Sequence, residues 1–381
     1  MRYIYSLIFL GIASATQAQV VPAPTLPDSA AAPAQPRREK PSFIPLPIVF
    51  SQPETGLGYG LAVLPVWRFG QDTAVRKSNA RLVAWRTQKN QSLLQLTHNV
   101  FTLGEAFLLT GEASYYYKFP INYYGFGPDT RLADKSIIEY KVFIFNERVL
   151  KRVAPNVFVG GQYRLTNLRD VQLNEGIDQD PNRSRLFDRP AREYTQDTRI
   201  SGIGPSFLYD GRDNVLSTYR GNYLELGALF NGRALGSDFR FSRFVVDARH
   251  FQPLGEGTRT ILATQIIGQF QSGDTPFREL ANLGGDKTLR GYYEGRFRDR
   301  QLLAVQAELR RHLFWRFNGV VFGGLGQVGN TVGALVQRAP KASAGAGLRF
   351  AFNRQDRLNI RLDYGRGAGS SGVYFSIGEA F

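Results

Sequence analysis

Four arginines, Arg290, Arg296, Arg298 and Arg300, alternate with Asp286, Glu294 and Asp299 inside the stretch 284–300. The chemistry this composition offers is ion pairing, because a guanidinium presents its donors in a fixed fork that matches a carboxylate. Glycines at 284, 285, 291 and 295 let the backbone reverse, so the stretch is expected to be a long ordered loop that docks in a polar cavity. Arg290 also has a plainer reading, as one more solvated loop charge. Catalytic chemistry is poorly supplied. His98, His250 and His312 stand at no metal-ligand spacing, and the chain has no Gly-x-Ser-x-Gly elbow, Walker loop or dinucleotide fingerprint. A nucleophile and base gathered from distant strands would leave no such motif. The expectation is a protein that is not an enzyme and uses no metal or cofactor.

The elements that must position this loop alternate with period two. Leu303, Val305, Ala307 and Leu309 share one parity, and Ala304, Gln306, Glu308 and Arg310 share the other. The same division runs through Leu358, Ile360, Leu362 and Tyr364 against Arg357, Asn359, Arg361 and Asp363. It recurs at Leu224–Phe230 and at Phe244–Ala248, with Val245 the exception in the latter. Charges opposite bulky apolar side chains, in segment after segment, suit a sheet with lipid on one face and polar contents on the other. No stretch has the roughly 20 apolar residues of a transmembrane helix. The predicted fold is all-β: a sixteen-stranded antiparallel transmembrane β-barrel with a lumen-docked sixth extracellular loop. Its longest connections, 119–135, 169–195 and 272–300, all fall on one side of the sheet, the side expected to face outward.

The N-terminal region reads differently. Residues 1–18 resemble a secretory signal, with Arg2 before the apolar run Ile4–Ile12 and Thr16-Gln17-Ala18 at the cleavage site. Residues 19–42 form a linker rich in Pro and Ala, expected to be disordered, and 43–381 form the barrel. The chain has no cysteine, which excludes lipoprotein processing and disulfides.

Several motifs together resemble the bacterial surface antigen family, the superfamily of outer-membrane barrels that includes BamA, TamA and the two-partner secretion transporters. Leu289-Arg290-Gly291-Tyr292 is similar to the family's Val-Arg-Gly-Phe/Tyr motif in the sixth extracellular loop. Glu308 matches the strand acid with which the family's loop arginine pairs. Phe322-Gly323-Gly324-Leu325-Gly326 stands where the family shows Phe-x-Asp-x-Gly, so Gly324 replaces an aspartate and Gly326 keeps its glycine. The resemblance then implies that Arg290 pairs with Glu308, with Asp299 or Asp286 as further candidates. Tyr209–Asn214 with Arg220-Gly221 resembles a periplasmic turn of the family. The end of the chain, with Val373, Phe375, Ile377 and Phe381 in one parity, resembles the β-signal read by the barrel assembly machinery. Glu379 interrupts that apolar face. A linker of this length cannot hold the POTRA domains that receive clients in the best-known members.

The formal net charge of +15 would suit nucleic acid, but the basic residues are spread over alternating strands and form no recognition element, so no nucleic-acid partner is expected. Lipopolysaccharide at the outer rim, outer-membrane lipid, or solvation of a wide lumen accounts for the charge. Tyr115-Tyr116-Tyr117 and Tyr123-Tyr124 read as an interfacial aromatic girdle or, alternatively, a sugar-binding platform. The resemblance implies work in outer-membrane biogenesis, inserting or translocating protein or lipid with a separate periplasmic partner. The alternative is a static surface antigen or a restricted small-solute pore.

Overall fold

A computed structural model describes residues 41–52, 56–70, 75–173 and 197–381. The chain divides into two units, Met1–Arg37 and Arg38–Phe381. Residues 1–18, expected to be a secretory signal, and nearly all of the expected linker lie outside the described residues, as do residues 174–196 of one long connection.

Among the described residues sixteen strands form one antiparallel sheet in which neighbours follow chain order. The first eight are β1 (Ser42–Gln52), β2 (Gly56–Trp67), β3 (Ser78–Thr87), β4 (Ser92–Phe101), β5 (Phe107–Tyr123), β6 (Ser136–Ala154), β7 (Val157–Leu173) and β8 (Thr198–Asp210). Next come β9 (Gly221–Asn231), β10 (Phe241–Pro253) and β11 (Thr260–Gly273), then two three-residue strands outside the sheet, β12 (Ala281–Leu283) and β13 (Phe297–Asp299). The sheet resumes with β14 (Gln301–Phe314), β15 (Phe317–Gly329), β16 (Lys341–Asn353), β17 (Leu358–Gly367) and β18 (Ser370–Ile377). Strand positions follow the alternation read in the sequence, with two extensions. β5 was expected to stop near 118 but continues to Tyr123, because a register shift between Tyr116 and Phe119 absorbs the left-handed Lys118 and restores the ladder. β7 likewise runs on to Leu173, opposite an irregularity at Glu139/Lys141.

The two faces are inverted relative to a water-soluble sheet. On β14, Leu303, Val305 and Leu309 are exposed, whereas Gln306, Glu308 and Arg310 are buried. On β17, Leu362 and Tyr364 are exposed and Arg361 and Asp363 buried. Arg290, Arg349 and Arg361, each 1% exposed, are among the largest fully buried side chains. A water-soluble monomer rarely leaves an apolar face of this extent uncovered. The polar face also has an apolar patch, where Ile138, Tyr140, Val142 and Ile144 of β6 are buried beside Tyr123, Leu168 and Val171.

Contacts between connections sort them to two ends. The backbone N–H of Gly127 donates to the Arg298 carbonyl at 2.8 Å, Arg296 donates to Thr130, and Asp129 pairs with Arg338, so the connections 124–135, 274–300 and 330–340 share one end. At the other, Arg76 pairs with Glu105 and Asp210, Lys77 with Asp356, and Arg357 with Asp213.

β1 and β18 each have a single neighbour in the sheet. Leu46 and Ile48 of β1 nonetheless pack in one cluster with Leu358 of β17 and Ile377 of β18, and Ser42 Oγ donates to Asp356 at 3.1 Å. Among the described residues no backbone ladder joins β1 to β18, and the two strands stand as the unpaired edges of the sheet.

Candidate functional site

The connection 274–300 runs along the polar face of the sheet, held by side chains that point inward from many strands. Its tip is the Leu289–Tyr292 segment. Arg290 Nη2 donates to Glu308 of β14, and Nη1 donates to Asp363 Oδ2 of β17 at 2.5 Å. The guanidinium lies 3.6 Å from the ring centre of Phe322 on β15, which closes its remaining side with a cation–π contact. Arg290 is thus not a solvated loop charge. Local sequence makes the approach possible: Gly291 has φ +117°, and Gly365 places only a hydrogen where a Cβ would stand 2.6 Å from the Arg290 carbonyl. Leu289 adopts a left-handed φ of 48° and is buried with Leu283, Tyr292, Phe297, Leu302, Ala304 and Val328, a cluster that holds the strained turn. Gln306 donates to the Lys287 carbonyl at 2.9 Å.

Glu308 and Asp363 each serve a second arginine. Arg310 Nε donates to Glu308 Oε2 at 2.8 Å, Arg349 donates to Asp363 Oδ1 at 2.5 Å, and Arg349 Nε reaches Glu379 Oε2 at 2.8 Å. The result is an alternating row, Arg310, Glu308, Arg290, Asp363, Arg349, Glu379, in which buried charges compensate one another. Asp363 corrects the sequence reading, in which Asp286 or Asp299 was the further candidate for Arg290. Asp286 instead accepts from Arg361 at 2.8 Å, and Asp299 accepts from the Arg300 backbone N–H. Gly324, at the position of the family's aspartate, sits against Gln306, where a Cβ would stand 2.9 Å from the Gln306 Cβ. Gly326 faces Leu283 and Leu289 and leaves them room.

A second anchor lies earlier in the connection, and the sequence reading missed it. Glu279 accepts from Arg164 at 3.2 Å and Thr166 at 3.1 Å, both on β7, and from Arg243 of β10 at 2.9 Å. Burial alone would raise its pKa, but Arg164, Arg243 and Arg278 outweigh burial and hold it at about 2. Phe277 and Leu280 flank it and fill the apolar patch of β6 and β7. The available signal was weak: an acid between two apolar residues, with cations on the inward parity of β7 and β10.

The five tyrosines of the expected girdle divide. Tyr115 is exposed, but Tyr123 and Tyr124 are buried, Tyr123 edge-on to Phe277 and Tyr124 beneath Arg296. The reading of the C-terminus also needs correction. β18 ends at Ile377, and Gly378 with φ +92° turns the chain inward. Val373 and Phe375 keep the outward parity, whereas Phe381 is buried with Phe251, Ala263 and Ala380, and its carbonyl accepts from Arg310 at 3.0 Å. Glu379 accordingly does not interrupt an apolar face. It joins the interior row, where burial is outweighed by Arg310 and Arg349 and its pKa is held at about 2.

His98 lies 3.2 Å from Glu147, while His250 and His312 contact asparagines. Among the described residues no group of three His, Asp or Glu is placed to hold a metal ion.

Comparison with known proteins agrees with this architecture. The chain is similar in fold to BamA from Haemophilus ducreyi lacking POTRA domains 1–3, with a TM-score of 0.54 at 15% identity over 89% of this chain and 70% of that one. It is also similar to CdiB from Acinetobacter baumannii, with a TM-score of 0.55 at 12% identity over 88% of this chain and 59% of that one. No curated protein matches the sequence. The Omp85 superfamily domain matches residues 99–381, a span that contains the arginine-bearing loop, both of its anchors and the C-terminal strands, and the chain accordingly belongs to the Omp85 superfamily of outer-membrane β-barrel proteins.

Proposed function

We propose that the sixteen strands close into a transmembrane barrel with connection 274–300 docked in its lumen as the sixth extracellular loop, and that this barrel inserts or translocates protein or lipid at the outer membrane, with clients delivered by a separate periplasmic partner. The observation that carries the reading is the seam. Leu46 and Ile48 of β1 share an apolar cluster with Leu358 of β17 and Ile377 of β18, yet β1 and β18 form no ladder among the described residues, so their edge N–H and C=O groups are left to template an incoming strand. The loop tip is tied to the same edge: the Gly291 N–H donates to Tyr374 Oη of β18 at 2.8 Å, and that hydroxyl donates to the Tyr292 carbonyl at 3.1 Å. On this reading the loop arginine holds the last strands in place, and the protein carries out no covalent chemistry.

The chain contains no cysteine, so a pair introduced at Ile48 and Ile377 can be joined by a short bis-maleimide without competition. In lipid vesicles the unlinked protein is expected to speed folding of an unfolded outer-membrane barrel client, and the linked protein is expected not to. Equal rates in the two forms would support the second reading, a static surface antigen or restricted pore. That reading is favoured by the loop's two anchors, which obstruct the interior. Orientation has its own test. A cysteine at exposed Val336 is expected to react with an impermeant maleimide on intact cells, and one at exposed Glu256 is not. Phe375, Ile377 and Phe381 remain the proposed assembly signal for recognition by the barrel assembly machinery, and deletion of Phe381 is expected to leave little folded, heat-modifiable protein in the membrane.

A further inference from the structure

Beside the loop tip, at the end of the sheet that carries connections 124–135 and 274–300, a cleft of about 590 Å³ opens between connection 124–135, Tyr293 and the β17–β18 turn. Its lining joins three kinds of group. Tyr293 and Tyr364, 48% and 51% exposed, present aromatic surface to solvent, with Tyr124 buried behind them. Lys135 and Arg366 supply two cations, and among the described residues no carboxylate lines the cleft and neither cation has an ion-pair partner. Ser370 Oγ is buried there without a hydrogen-bond partner.

These features are hard to assign to folding. The buried arginines Arg290, Arg349 and Arg361 are each matched by an acid, whereas Arg366, on the exposed parity of β17 with Tyr364, has none among the described residues, and a buried hydroxyl left without a partner costs stability. A cleft that leaves two cations without an acid and a hydroxyl without a partner, beside aromatic surface, has the composition of a ligand site: apolar faces for bulk, and a few polar groups for orientation. The ligand must carry negative charge for Lys135 and Arg366, hydroxyls for Ser370, and a ring with an apolar face for the tyrosines. An inorganic anion lacks the ring, and a fatty acyl chain lacks the hydroxyls.

We propose that this cleft binds a phosphorylated saccharide, namely the phosphorylated sugar headgroup of a glycolipid in the outer leaflet. Binding takes no part in the insertion reading and requires only that this end of the sheet face outward. Arg366 supplies a fork that fits two phosphate oxygens, Lys135 a second charge, and Tyr364 a ring for stacking.

The test uses the full chain folded in detergent, with titration calorimetry against glucose 1-phosphate, glucose and inorganic phosphate. Glucose 1-phosphate is expected to bind at least about tenfold more tightly than either component alone. Arg366→Gln and Lys135→Gln are each expected to weaken it several-fold, and Tyr364→Ala to weaken glucose 1-phosphate and glucose alike. All three residues lie outside the buried arginine row, so heat-modifiable migration should be unchanged. Truncated lipopolysaccharide that keeps its phosphates is expected to compete, and the enzymatically dephosphorylated form is not. Equal affinity for phosphate and glucose 1-phosphate would reduce the cleft to a bare cation patch and overturn the proposal. So would indifference to the two cation substitutions, or failure of phosphorylated lipopolysaccharide to compete. Because the titration needs neither a client nor a membrane, its failure is distinct from failure of the insertion reading.

Discussion

The loop is held at two places by ion pairs of opposite sense. At its tip the cation belongs to the loop and the carboxylates, Glu308 and Asp363, belong to the wall. At Glu279 the carboxylate belongs to the loop and the cations, Arg164 and Arg243, belong to the wall. The tip grips β14 and β17 and touches β18 through Tyr374, whereas the earlier anchor grips β7 and β10 and rests on β6. One connection therefore ties two distant parts of the sheet. The compensation also differs. Around Arg290 the acids are shared: Glu308 also serves Arg310, and Asp363 also serves Arg349 and, at 3.8 Å, Arg361. Around Glu279 one carboxylate answers several cations, so its removal leaves like charges facing each other in a confined site.

The largest effect is expected at the tip. Arg290→Ala removes both ion pairs and the contact with Phe322, and loss of one partner from a buried pair typically costs about 3 to 5 kcal/mol. Segment 284–300 should become protease-sensitive in folded, membrane-inserted protein. Arg290→Lys should recover only part of the protection, because a single ammonium cannot reproduce the fork that spans Glu308 and Asp363. A cycle combining Arg290→Ala with Glu308→Ala should be non-additive, and Asp363→Ala should behave in the same way; full additivity in either would dissolve the pair concerned.

Next comes the earlier anchor. Glu279→Gln keeps the volume and removes the charge, which should loosen residues 277–283 while the tip stays protected. Hydrogen exchange resolved by segment would measure this. If both segments open together, the two anchors are one cooperative unit and the comparison fails.

The same carboxylate gives the comparison a pH signature. Its pKa is held at about 2 in the folded protein, below the ordinary 4.5. A depressed carboxyl stabilises the folded form fully above its unfolded value and loses that contribution as pH falls through the folded one. Protection of 277–283 should therefore decline between about pH 4.5 and pH 2, with each unit of the shift worth about 1.4 kcal/mol. Glu279→Gln should abolish that part of the decline. Glu379 is depressed in the same way and titrates in the same window, so what remains in the variant belongs to the interior row.

How much of this could be read in the sequence follows from what kind of signal each part leaves. Alternation is local, so the strands and the inverted faces were legible on β14 and β17. Arg290 and Glu308 were legible because both sit in recognisable motifs. Asp363 lay in plain view on the polar parity of β17, but its pairing depends on register across three strands, since Phe322 stands opposite Gly345 and Gly347 opposite Asp363, and no local pattern encodes that. Glu279 was hidden for a similar reason: its partners come from β7 and β10, more than thirty residues away in sequence. Phe381 misled because parity was carried past Gly378, where the strand had already ended.

The smallest effect should come from a pair that resembles the tip in chemistry. Asp286 accepts from Arg361 at 2.8 Å, as close as many of the buried contacts, yet its side chain is 47% exposed while Arg361 is 1% exposed. Water can replace the carboxylate on its open side, and Arg361 keeps a second acid, Asp363, at 3.8 Å and the Asp286 carbonyl at 3.0 Å. Pairs of this kind contribute about 0 to 1 kcal/mol. Asp286→Asn preserves the shape and should leave protease protection of 284–300 close to that of the unaltered protein, with any loss diminishing as salt is added. Were Asp286→Asn to loosen the tip as much as Arg290→Ala, burial would not be what separates the two, and the hold on the loop would have to be assigned to Arg361.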